Sequence, residues 1–111
     1  MPHFVFKLLP PRPSFRADIT EEERALMDAH VTYWGDLVVR DIALVFGPVF
    51  DPAGIYGLAI AQADDEQDAR LLSSRDPAIE AGQGFRYDIH PMQAATRPDV
   101  VAALSKEKSD G

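Results

Sequence analysis

The chain contains no cysteine, which excludes a disulfide framework, a thiol nucleophile and thiolate zinc sites. Basic charge is also in short supply: 11 Lys and Arg stand against 18 Asp and Glu among 111 residues, a formal charge of −7. Lys and Arg are scattered singly, so there is no basic stripe for a phosphate backbone, and neither nucleic acid nor an anionic membrane is expected as a partner. Long apolar runs are missing, so no stretch reads as a membrane span. The opening Met1-Pro2-His3-Phe4 has neither the cationic region nor the apolar core of a leader, and the expectation is a cytoplasmic protein. No internal repeat, no Gly-Lys-Ser/Thr phosphate loop and no nucleophile-elbow serine occurs. What is present, 46% hydrophobic and 26% charged residues, is the material of one small globular domain.

Periodicity and turn chemistry divide that domain. His3 to Leu9 reads as a strand, cut off by Pro10-Pro11-Arg12-Pro13, which begins a loop. Thr20 and Glu23 form a capping box with Glu21 and Glu22 in the acidic first turn, so a helix starts there and runs to about Val39. Ala43 to Phe46 reads as a strand leading into Gly47-Pro48. Ile55 to Ile60, after the turn Asp51-Pro52-Ala53-Gly54, is its hairpin partner. Asp64 and Asp65 open a second, short helix. Asp76-Pro77 reads as an N-cap with proline at the first helical position, and Gly82 as the stop. Phe85, Tyr87 and Ile89 alternate with Arg86, Asp88 and His90 as a strand ended by Pro91. Residues 1–93 thus form the domain, and 94–111 a polar tail expected to be mobile.

The order strand, helix, strand, strand, helix, strand predicts an α+β domain of ferredoxin-like β-α-β-β-α-β type. Two helices cover one face of a four-stranded sheet. Because the first three strands carry apolar residues on both faces, the open face is expected to pack on a second copy, giving a homodimer with a barrel-like core.

On the first helix Leu26, Met27, Tyr33, Trp34, Leu37 and Val38 share one arc, and His30 lies near its centre. A histidine in a core-facing stripe needs a partner for its ring nitrogens. It is either a core histidine bonded to a carbonyl or a general base oriented by a carboxylate. Asp76 offers that carboxylate and equally explains itself as a helix cap. Arg12, on the proline-stiffened loop, is either a solvated loop residue or a clamp for a substrate carboxylate or oxyanion. Tyr33 and Tyr87 could donate to such an oxyanion, while Tyr33 and Trp34 also suit the core. His3 and His90 come together if the first and last strands pair, but no third ligand accompanies them, and neither metal nor cofactor is expected.

These residues stand in an order that resembles the YciI-like (YCII-related) family. The motifs are Pro10-Pro11-Arg12-Pro13-x-Phe15-x-x-Asp18-x-Thr20-x-Glu22-Glu23, Met27-x-x-His30-x-x-Tyr33-Trp34, Phe46-Gly47-Pro48-Val49-x-Asp51-Pro52-x-Gly54, Asp76-Pro77 and Pro91-Met92. The resemblance covers about residues 3–92. It implies a dimeric α+β barrel with a histidine and aspartate dyad, His30 and Asp76 here. Asp41 departs from it, standing where a glycine commonly ends the first helix. The resemblance further suggests a dehydrochlorinase of a chlorinated hydroxyhydroquinone as relative, with lactone isomerases and cofactor-free monooxygenases in the wider superfamily. The expectation is therefore a lyase or isomerase moving a proton with His30 and Asp76, on a small ligand that is aromatic or carboxylate-bearing. A non-catalytic ligand-binding or regulatory module, and a haem-handling or cofactor-free oxygenase, are the alternatives.

Overall fold

In a computed structural model of the chain, residues 2–95 are described. The expected polar tail falls almost entirely outside them. Four strands, β1 (His3–Leu9), β2 (Ala43–Val49), β3 (Tyr56–Gln62) and β4 (Arg86–Met92), form one sheet. The helices are α1 (Phe15–Asp18), α2 (Glu21–Val39), α3 (Glu66–Ser74) and α4 (Pro77–Glu80). The sheet order is β2-β3-β1-β4 with every pairing antiparallel. This small α+β architecture is compatible with the ferredoxin-like arrangement.

Local chemistry explains the element ends. The Thr20 hydroxyl accepts from the Glu23 N–H while the Glu23 carboxylate accepts from the Thr20 N–H, the complete capping box, contributing about 1 kcal/mol to the start of α2. At its other end Asp41 takes φ 60, the left-handed conformation for which glycine is best suited and which aspartate tolerates. The Ile42 N–H reaches the Leu37 carbonyl and the Asp41 N–H that of Val38, a Schellman closure. The turn expected of a glycine is made without one.

Both outer strands run further than the prolines suggested. β2 passes through Gly47-Pro48 to Val49 and β4 through Pro91 to Met92. Both are edge strands, so a missing proline N–H is tolerated there. One turn of helix, α1, also stands in the segment read as loop, where it turns Phe15 inward.

Alternation along β1 decides which face is core. Phe4, Phe6 and Leu8 are buried under the helices with Trp34, Leu37, Ala59, Ala61 and Ala69, while a second cluster joins Leu8, Phe15, Ala78 and Phe85. His3, Val5 and Lys7 point to the opposite face, aligned with Gln62, Ile60 and Leu58 of β3 and with Met92, His90 and Asp88 of β4. His3 and His90 are therefore diagonal neighbours on that face. Among the described residues, no three His, Asp or Glu side chains are grouped to hold a metal, and no helix is long and apolar enough to cross a membrane.

Candidate active site

The α2 periodicity places His30 and Trp34 one turn apart on the face that meets α4 and β4. Asp76, at the N-cap of α4, lies opposite them and is completely buried. Its two oxygens divide the work. Oδ1 accepts from the Ala78 N–H at 3.0 Å, capping a one-turn helix whose first residue is Pro77. Oδ2 lies 2.6 Å from His30 Nδ1 and accepts from the Tyr87 hydroxyl at 2.5 Å and the Trp34 Nε1–H at 3.2 Å. Capping and contact with His30, both left open by the sequence, thus coexist in one carboxylate.

Burial pushes the Asp76 carboxyl upward, but the hydrogen bonds from His30 and Tyr87 outweigh it and hold the group below the ordinary aspartate value. Burial, and then the charge of Asp76, push the Tyr87 phenol well above its ordinary value, so it stays protonated and donates. With Asp76 ionised, His30 Nδ1 carries the donated proton, and in a neutral imidazole the lone pair then lies on Nε2. Among the described residues no buried side-chain nitrogen or oxygen lacks a partner. Nε2, which bonds to none of them, is therefore reached from an adjoining cavity.

That cavity has a volume of about 280 Å³ and lies between α2 and the sheet. Leu8, Phe15, Met27, Phe46, Pro48 and Phe85 give it apolar walls, with His30 and Tyr56 supplying the polar side chains. A smaller recess beneath it reaches Phe6 and Tyr87. Phe15 and Phe85 meet edge to face at 5.3 Å. Gly84, at φ 97, comes so close to Pro11 that a Cβ there would lie 2.9 Å from the proline Cβ. The proline loop and the approach to β4 are thereby packed into one wall.

His30, Asp76 and Tyr87 are brought together. The other two residues singled out from sequence have different partners. Arg12 does not line the cavity: its guanidinium forms a fork on the Glu23 carboxylate, 2.7 and 2.8 Å, and also bonds Asp18 Oδ1 at 2.7 Å. This corrects its reading as a substrate clamp, because both faces of its charge are already matched. The Arg12 bonds, assisted by the Thr20 N–H, hold Glu23 at about 2. The Tyr33 hydroxyl donates to the Leu72 carbonyl at 2.6 Å, away from the cavity, and serves to bind α2 to α3.

Sequence reasoning assigned Trp34 to the core, where it is, but missed its N–H as a donor to Asp76. The signal was its spacing of four from His30. It also missed Glu23 as the partner of Arg12, since the capping box already accounted for Glu23. Met27, Phe46 and Phe85 carried no chemical signal that would mark them as cavity walls.

A family model, the YCII-related domain, matches residues 5–93. No curated protein matches the chain. Among solved structures the chain is similar to 5-chloro-2-hydroxyhydroquinone dehydrochlorinase (TftG) from Burkholderia phenoliruptrix AC1100, determined in complex with 2,5-dihydroxybenzoquinone. The two share 17% identity at a TM-score of 0.57, over 83% of this chain and 95% of that one. At that identity the likeness is one of fold. A match over 5–93 spans every strand and helix from the middle of β1 to the end of β4, and the chain belongs to the YCII-related domain family.

Proposed function

We propose that the chain is a small-molecule lyase or isomerase in which His30 is the general base and Asp76 orients it. One observation carries this reading: an imidazole with Nδ1 2.6 Å from a buried carboxylate also lines an apolar cavity. Nε2 takes a proton from a phenolic O–H or from a carbon made acidic by a carbonyl, and Asp76 stabilises the imidazolium. The electron pair left behind moves through the conjugated ligand. It is reprotonated at another carbon in an isomerisation, or it expels an anionic leaving group such as chloride in an elimination.

The walls favour an aromatic ligand over a carboxylate-bearing one. A carboxylate desolvated there would meet no guanidinium among the described residues, since no Arg or Lys lines the cavity and Arg12 is engaged by Glu23 and Asp18. The fold shared with TftG makes chlorinated and hydroxylated aromatics the first compounds to try. The same reading places a second copy of the chain on the open sheet face, where Val5, Val45, Leu58 and Ile60 share one side. Light scattering at micromolar concentration checks this.

The test follows the His30 ring by NMR while such compounds are added, together with proton and chloride release. A ligand that perturbs His30 and is turned over, with His30→Gln slower by roughly a hundredfold or more, supports the proposal. Binding without turnover would assign the site to a non-catalytic module. Turnover indifferent to His30→Gln would overturn the base assignment.

A further inference from the structure

We infer that Tyr87 and Trp34 are positioning residues that limit how strongly Asp76 draws on the His30 imidazole. The ring is thus held in place yet can still release a proton that it accepts. The inference starts from the number of donors on one oxygen. Asp76 Oδ2 accepts from His30, Tyr87 and Trp34 together, and each donor takes part of the negative charge that would otherwise face the imidazole.

The donors are also coupled. The Trp34 Nε1–H is shared between Asp76 Oδ2 and the Tyr87 oxygen, the latter at 2.9 Å. Donation into the Tyr87 oxygen polarises its O–H and makes it a stronger donor to Asp76.

The simpler account is a buried tyrosine that has merely found an acceptor. Tyr33 shows what that looks like in the same protein: its hydroxyl is content with the Leu72 carbonyl. Tyr87 instead binds the one oxygen that faces His30. Its ring packing, edge-on to Phe6 at 6.1 Å, would be kept by phenylalanine, so packing alone gives no reason for the hydroxyl.

The titratable groups facing this cluster, among the described residues, come from each element packed around it. They are His30 and Tyr33 from α2, Asp76 from the start of α4, Tyr87 from β4, and Tyr56 from β3 across the cavity. Arg75, Arg40 and Glu80 act more remotely, through their fields at Tyr33. Among the described residues no guanidinium or ammonium bonds Asp76, and its charge is met there by the two neutral donors, the Ala78 amide and the imidazole.

Removing the Tyr87 hydroxyl therefore concentrates the Asp76 charge on His30. The charged ring becomes favoured, and at a given pH less of the neutral base remains. The proposal rests on the general-base reading for its effect on turnover, but the titration that tests it needs no substrate.

The experiment follows the ring protons of His30 with pH by NMR, the signal being assigned by its loss in His30→Gln. Tyr87→Phe is expected to move the titration midpoint to higher pH by roughly half a unit. Tyr33→Phe is expected to leave it in place, and Asp76→Asn to move it down. A Tyr87→Phe midpoint that is unchanged or lower overturns the inference. Should that variant fail to fold, 3-fluorotyrosine placed at position 87 decides the matter. It is nearly isosteric and a stronger donor, so the midpoint must fall, and a rise or no change again overturns the inference. Shifts of the expected sign in a protein that turns over nothing would count against the proposed reaction while leaving the inference standing.

Discussion

Among the described residues two carboxylates are taken out of water, Asp76 and Glu23, at 0% and 6% exposure, and their charges are balanced in different ways. Glu23 meets a formal cation: Arg12 grips it with two parallel bonds, Asp18 shares the same guanidinium, and Ser14 bonds Asp18 in turn. Every charge there has its partner, and the cluster ties the loop that carries Pro10 and Phe15 to the first turn of α2. Asp76 is balanced instead by N–H and O–H donors and by a histidine whose second nitrogen is left for the cavity. A buried charge closed by an arginine is finished structurally, whereas one closed by an imidazole keeps a group that can still exchange a proton. That difference separates a brace from a candidate active centre.

The comparison is broken most directly at Asp76. Asp76→Ala leaves the Trp34 N–H, the Tyr87 hydroxyl, the His30 Nδ1–H and the Ala78 amide without their acceptor, and should cost about 3 kcal/mol or more in urea unfolding. A loss below about 1 kcal/mol would mean that water replaces the carboxylate, and that the cluster is wetter than its burial implies.

Acid sharpens the contrast at the other site. Glu23 is held at about 2 against an ordinary 4.5, so its folded value is depressed. The stability it contributes is present above about 4.5 and is lost as the pH falls toward about 2. Glu23→Gln should therefore flatten the decline in stability over that window and leave the His30 titration alone. An acid limb of unchanged steepness would remove Glu23 from the account.

The smallest expected effect is that of salt. Arg12 and Asp18 are partly exposed, with side chains 34% and 53% accessible, and ions screen such pairs. Raising sodium chloride from roughly 0.05 to 0.5 M should reduce the destabilisation caused by Arg12→Ala. That caused by Asp76→Ala should hardly change, because screening is weak at a completely buried carboxylate. Equal salt dependence of the two would erase the distinction.

Much of the frame was legible because local chemistry repeats it. The capping box at Thr20 and Glu23, the period-two run ending in His90 and the Asp76-Pro77 cap each state their element in a few residues. The lengths of β2 and β4 were not legible. Pro48 and Pro91 look like strand ends until the sheet order makes both strands edges. Nor was the helical turn at Phe15, whose contact with Phe85 lies across the chain.

What the sequence determined by itself was the chemical inventory: a histidine in an apolar stripe, an aspartate before a proline, no thiols and little positive charge. Burial cost alone required the histidine to find a partner. Tertiary structure decided which groups meet. Arg12, read as a candidate clamp, is bound to a capping glutamate 11 residues on, while Trp34 and Tyr87, separated by 53 residues, converge on one oxygen of Asp76. Spacing along a helix is a local property and shows in the sequence. The pairing of donors with acceptors across elements depends on how α2, α4 and β4 pack, and only the folded chain specifies it.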